Sequence, residues 1–151
     1  FNHLLLKKYA TNLLLVFIFL SLLLSLFFIG WLIAVGLEIN QRLEKDSNSS
    51  FKIFVIGMKY LFLYFWFFWS LIAIILKGII LPRILIFLMP FHMLGIFFIF
   101  YGINFISKRL LMTEQRDIVG NPEYLRVFLQ ILFFPIGIFY IQDRVHRMIG
   151  K

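Results

Sequence analysis

Four long apolar stretches, each bounded by short polar segments, set the pattern of this chain. The first runs from Leu13 to Leu37 and is interrupted only by Ser21, Ser25, Gly30 and Gly36, with Lys7 and Lys8 just ahead of it. A hydrocarbon core of about 30 Å takes roughly 20 helical residues to cross, so this run predicts a transmembrane helix. It is too long for the apolar part of a cleavable signal peptide, and no small-x-small cleavage site follows it, so the helix is expected to be retained. Beyond Leu37 the sequence turns polar but stays helix-friendly, with Glu38 and Arg42 at i and i+4, where opposite charges meet on one face. The helix is therefore expected to project past the membrane. Asp46-Ser47-Asn48-Ser49-Ser50 then breaks it and offers a serine cap for the next helix.

The second run extends from Phe51 to Leu76. At about 100° per residue, Lys59, Trp66, Ser70, Ala73 and Lys77 fall close to one line along a helix. Either both lysines snorkel toward the interfaces while Ser70 and Ala73 admit a neighbouring helix, or the stripe lines a water path. The third run follows Lys77-Gly78, carries Pro82 and Arg83 in its first turns, and continues from Ile84 to Ile106. So short a connection predicts a tight antiparallel hairpin of the second and third helices. Pro90 lies deep in the third run and is expected to kink it. That helix is expected to continue past Ser107, Lys108 and Arg109 into Thr113-Glu114-Gln115-Arg116-Asp117, with Gly120 as its C′ residue. Asn121-Pro122-Glu123 then reads as a cap, a first-position proline and an acidic first turn. The fourth run, Leu125 to Ile141, contains Gln130 and Pro135 and is near the lower limit for crossing. A full span with a proline kink is expected there, with a re-entrant or interfacial segment as the alternative.

Composition agrees with this pattern. The chain is 62% hydrophobic and 15% charged, with a mean hydropathy of +0.96, far from the values of a soluble globular domain. Four spans use most of its 151 residues, which leaves no room for a soluble catalytic domain. Cysteine is absent, so disulfides, thiolate nucleophiles and Cys-ligated zinc or iron–sulfur centres drop out. The formal charge of +8 points first to anionic lipid headgroups, and no nucleic-acid partner is expected. An even number of helices puts both termini on one side. That side then holds seven basic residues (Lys7, Lys8, Lys77, Arg83, Arg144, Arg147 and Lys151) and the other holds eight (Arg42, Lys45, Lys52, Lys59, Lys108, Arg109, Arg116 and Arg126). Counting Lys and Arg therefore gives a near tie. Six of the seven acidic residues lie on the second side, which tips the expectation toward cytoplasmic termini.

An ionisable residue near the bilayer centre is a functional candidate because placing it there costs several kcal/mol on most scales. His92 is that residue. With Gly95, Ile99 and Gly102 it occupies one arc of the third helix, facing a groove where another helix can approach closely. A neutral imidazole bonded to a neighbouring helix explains it structurally; proton relay, ligand binding or metal binding are the functional alternatives. A bis-His haem needs ligands in facing helices, whereas His3 and His146 both lie at the water side, so no cofactor is expected. On the fourth helix Gln130, Gly137, Ile141 and Arg144 share a face, and Gln130 is the expected partner for His92 or Asn104. Small-residue pairs Ser21/Ser25 and Gly30/Ala34 lie on opposite faces of the first helix and suggest packing on both sides. Lys108, Arg109, Glu114, Arg116 and Arg126 form a polar cluster read as a headgroup-facing surface or a partner-docking surface. No P-loop, Gly-x-Ser-x-Gly, His-Glu-x-x-His or spaced intramembrane carboxylate pair occurs.

The C-terminal part carries a resemblance. Phe91-His92-Met93, Phe100-Tyr101, Phe105-Ile106-Ser107-Lys108, Glu114, Phe133-Phe134-Pro135-Ile136-Gly137-Ile138 and Ile141-Gln142-Asp143-Arg144 resemble a group of small uncharacterised integral membrane proteins of Bacteroidota. In that group the last element reads as an aromatic pair, Pro-Ile-Gly, an aromatic, then Ile-Gln-Pro-Arg; this chain has Asp143 in place of the proline. The resemblance spans roughly residues 91–145 and implies a four-helix membrane protein; it transfers no activity and no catalytic residue.

The expectation is an all-α, polytopic membrane protein: one domain over 1–151, a four-transmembrane-helix bundle with helices at about 10–45, 51–77, 79–117 and 122–147. The expected role is a non-enzymatic accessory, scaffold or assembly subunit of a bacterial inner membrane, acting through helix packing and basic membrane-surface ends. Its expected partners are anionic lipids, other membrane proteins or further copies of itself. The rival is a small transporter or oligomeric pore, with a polar path near His92 and Gln130 or along Lys59, Ser70 and Lys77. Pro135, Gly137 and Arg144 complete the candidate intramembrane polar or packing positions.

Overall fold

A computed structural model describes residues 2–42, 49–78, 83–114, 122–134 and 136–149. All regular structure among them is helical. Helix α1 (Asn2–Arg42) is followed by α2 (Ser49–Leu76), a single turn α3 (Ile84–Phe87), α4 (Met89–Thr113), α5 (Pro122–Leu132) and α6 (Ile136–Ile149). Three helices are long and apolar enough to cross a membrane, within Tyr9–Gln41, Ser49–Leu76 and Met89–Thr113. The chain is thus an all-helical protein with the character of a membrane protein. The predicted break at Asp46 and the cap at Gly120 lie outside the described residues, but α2 does begin on Ser49-Ser50 and α5 on Pro122-Glu123.

Helices α1, α2 and α4 pack mutually, and their contacts fix direction and level. Phe54 stacks on Phe105 at 4.7 Å. Gly102 faces Met58 and Phe54, and Gly95 faces Leu61 and Tyr64, so α2 and α4 run antiparallel. Gly36 lets the end of α1 close on the Phe54 ring. The apolar core therefore gathers at one end of the bundle, from Ile29 to Ile39 in α1, Phe54 to Leu61 in α2 and Ile103 to Leu110 in α4. Toward the other end α1 stands apart: no side chain from Tyr9 to Phe28 is buried. Its apolar residues are distributed all round the axis, as suits a helix surrounded by hydrocarbon.

The third run differs from its expectation in detail. Rather than one helix over 79–117, a turn at Leu88 separates α3 from α4, and Pro90 occupies the first turn of α4. There its missing N–H is not needed, and the His92 N–H still reaches the Leu88 carbonyl at 2.9 Å, so the proline acts as a helix start.

The fourth run departs further. A single helix over 122–147 is replaced by α5 and α6, broken after Phe133-Phe134. At 1.5 Å per residue these helices measure about 16 and 21 Å, short of the roughly 30 Å needed to cross. They fold as a hairpin: Val127 and Ile131 of α5 and Ile141 and Val145 of α6 enter one core, and Arg144 returns to Glu123 in the first turn of α5. Tyr124 bonds Asn104 and Phe128 stacks on Phe100, so α5 runs antiparallel to α4. At the tip, Phe134 packs between Phe27, Phe28 and Trp31 of α1, with ring centroids 6.0, 4.8 and 5.8 Å away. The tip thus reaches only part way along the bundle. The sequence supplies the reason, since a proline at 135 cannot donate to the Ile131 carbonyl and steers the residue before it away from helical geometry. Pro135 itself lies outside the described residues.

Candidate functional site

Two polar centres lie within the helical body. The first joins α2 to the start of α4. Positions 60, 64 and 68 are each one turn apart, so Tyr60, Tyr64 and Phe68 share a face of α2. Gly95, one turn past Phe91-His92, lets that face close on α4. The Tyr64 hydroxyl lies 2.8 Å from His92 Nδ1, and the Tyr60 hydroxyl donates to the Phe91 carbonyl at 2.8 Å. Tyr60 and Tyr64 stack at 5.8 Å, and the imidazole lies 5.7 Å from the Phe68 ring. In the neutral Nε2–H tautomer Tyr64 donates to Nδ1; in the Nδ1–H tautomer the imidazole donates to the Tyr64 oxygen. The surroundings are apolar, with a groove of about 400 Å³ lined by Leu63, Phe67, Leu88 and Phe91 beside the tyrosines. The Tyr64–His92 contact joins α2 to α4. The indole N–H of the neighbouring Trp69 is buried without a partner.

The second centre ties the hairpin to the bundle. Arg144 of α6 makes a two-pronged contact with Glu114 at the end of α4, Nε to Oε1 at 3.0 Å and Nη2 to Oε2 at 2.9 Å. The same Nη2 reaches Glu123 of α5 at 3.1 Å. The Arg144 side chain is only 11% exposed, so water screens this cluster less than a surface pair. Planar guanidinium geometry suits the two-pronged grip, and one side chain thereby fastens three helices.

The other candidates fall into place around these centres. Lys59, Ser70 and Lys77 are exposed on the outside of α2, and the Ser70 hydroxyl bonds back to the Trp66 carbonyl at 2.8 Å. They line no interior path. Gly95 and Gly102 face α2, so the His92 arc does meet a closely approaching helix, and that helix is α2 rather than α5 or α6. Gln130 joins neither His92, which takes Tyr64, nor Asn104, which takes Tyr124; its Oε1 is buried without a partner. Gly137 does abut Gln130, but through the hairpin: a Cβ at 137 would overlap the Gln130 carbonyl. Among the described residues no group of three His, Cys, Asp or Glu could hold a metal ion.

Sequence reasoning missed Tyr64 as the partner of His92, Tyr60 as the donor to the Phe91 carbonyl, and the Glu114–Arg144–Glu123 cluster. The one-turn spacing of Tyr60 and Tyr64 was a usable signal for the tyrosines. For the ionic cluster there was none, because Arg144 and Glu114 are thirty residues apart. No protein-family model, curated protein or solved structure matches this chain.

Proposed function

We propose that the protein is a small non-enzymatic membrane component, an accessory or assembly subunit that works by helix packing and through its basic membrane-surface ends. The carrying observation is the first half of α1, where the apolar side chains from Tyr9 to Phe28 surround the helix and none is buried against the rest of the chain. A half-helix that adds no buried side chain to its own bundle offers that length to lipid and to the helices of another membrane protein. The polar groups support the same role. Ser21 and Ser25 bond back to carbonyls of their own helix at 2.8 Å, and His92 is held by Tyr64. The rival transporter or pore would need a polar lining, and the core cluster of the described residues is apolar. Three crossings followed by a hairpin that returns to its starting face put the termini on opposite faces, in place of the same-face arrangement that four crossings give.

The test is the mass of the complex extracted gently with its native lipid, and the identity of what accompanies it. A stoichiometric foreign membrane protein is the expected result. A homo-oligomer alone would move the pore reading ahead, and a bare monomer would overturn the accessory role.

A further inference from the structure

Helices α3 and α4 meet at Leu88, and the two sides of that joint are held differently. On the α4 side the chain is tied to α2 at once. The Tyr60 hydroxyl donates to the Phe91 carbonyl at 2.8 Å, and the Tyr64 oxygen lies 2.8 Å from His92 Nδ1. One turn later Gly95 closes on Leu61 and Tyr64. On the α3 side no side chain is buried, and Ile86 and Phe87 are 70% and 76% exposed.

The backbone is loosest at the same place. Pro90 has no N–H to give to the Ile86 carbonyl, so one of the bonds that would tie α3 to α4 is missing. Ile86 donates to the Arg83 carbonyl and Leu88 to the Leu85 carbonyl, each at 3.1 Å and each closing a three-residue turn. Past the joint, His92 closes a four-residue turn on Leu88 at 2.9 Å. Three-residue turns inside a longer helical run have the poorer bond geometry and recur at hinges, and prolines are where helices bend. Leu88 also lies in the wall of the groove of about 400 Å³ that Leu63 and Phe67 of α2 share with Phe91 and both tyrosines. Phe91 and the tyrosines belong to the fixed side, which leaves Leu88 as the lining residue at the movable edge.

We propose that Leu88–Pro90 is a hinge about which α3 swings while Tyr60 and Tyr64 hold α4 on α2, and that the swing moves Leu88 so as to open and close this groove. Motions of this class exchange on the microsecond-to-millisecond scale. The hinge adds a moving part to a body that the accessory role uses only as a packing surface, and it does not depend on that role.

Because the chain has no cysteine, a single trifluoromethyl thiol tag can be placed on it and read by fluorine NMR, with the full chain in bilayers of phosphatidylcholine and phosphatidylglycerol. The tag goes on Ile86→Cys in α3 or on Met93→Cys in α4, both exposed positions. Ile86→Cys should show relaxation dispersion between two states, and Met93→Cys a single line without it. Leu63→Cys, in the groove wall, should exchange at the same rate as Ile86→Cys. Pro90→Ala restores the missing donor and should remove the dispersion at Ile86→Cys. Tyr60→Phe/Tyr64→Phe should spread the exchange to Met93→Cys, because the hinge then loses its fixed side. No dispersion at Ile86→Cys, equal dispersion at Ile86→Cys and Met93→Cys, or dispersion that survives Pro90→Ala overturns the hinge. A quiet Leu63→Cys overturns the opening of the groove, and a Met93→Cys that stays quiet without the two hydroxyls overturns the clamp. The comparison of Ile86→Cys with Met93→Cys leaves Pro90 in place and stands whether or not Pro90→Ala folds.

Discussion

Gly137 is the residue on which the C-terminal hairpin turns, because it lets the α6 backbone rest on the last turn of α5. Any Cβ there collides with the Gln130 carbonyl, which as backbone cannot swing aside. Gly137→Ala should therefore destabilise the hairpin by about 3 kcal/mol or more, seen as a lower thermal midpoint and faster proteolysis near 133–137. Gly102→Ala makes a useful contrast, since its neighbour is the flexible end of Met58; it should be milder in the same measurements. His92 allows a double-mutant cycle. Tyr64→Phe removes the hydroxyl and leaves the imidazole Nδ1 unpaired in apolar surroundings, at a cost of about 1–3 kcal/mol. In the Tyr64→Phe/His92→Phe chain much of that loss should return, because both partners are then apolar. His92→Phe alone should preserve fold and assembly; loss of a transport activity instead would favour the pore.

At the level of elements, the ionic cluster decides whether α5 and α6 stay docked. Arg144→Ala removes two charge-assisted bonds to Glu114 and one contact to Glu123, which should cost about 2 kcal/mol or more. Hydrogen exchange should then rise in α5 and α6 while α2 and α4 keep their protection; uniform exchange across all helices would contradict a local fastening. Three helices long and apolar enough to cross a membrane were legible in the sequence because that property needs nothing but length and apolarity, and α1, α2 and α4 have both. The starts of α2 and α5 were legible from Ser49-Ser50 and Pro122-Glu123. The place of the break in the last run was legible from Pro135, whereas the return of α6 along α5 stood only as an alternative. A crossing helix and a re-entrant hairpin make the same demand for apolar residues, and what separates them is where Arg144 finds its counter-charges. That partner sits on another element, beyond the reach of any periodicity. The orientation of His92 was readable from Gly95 and Gly102, whereas its partner helix was not, because several helices could fill the same groove.

For the whole molecule, the hairpin changes the charge count across the membrane. Returning α6 to the end that holds Glu114 leaves Lys7, Lys8, Lys77 and Arg83 at one end and moves Arg144 and Arg147 to the other. Among the described residues the count becomes four against eight, and the rule that basic loops stay inside then predicts that the end of α6 faces the cytoplasm and the start of α1 faces outward. The natural absence of cysteine makes the check direct. With Asn2→Cys and Gly150→Cys introduced one at a time, an impermeant thiol reagent outside intact cells should label the first and not the second. Labelling of both or neither would restore four full crossings.

The partial depth of the hairpin also gives the molecule a shape. In a bilayer crossed by α1, α2 and α4, one leaflet would meet five helix sections, from α1, α2, α4, α5 and α6, while the other would meet three, so the body would displace more area on one side than on the other. A wedge of this kind relieves packing stress where the broader leaflet is the stretched, outward-bending one. On a mixture of small and large vesicles it should collect on the small ones when inserted with the hairpin in the outer leaflet, making local curvature a cue to where the protein gathers.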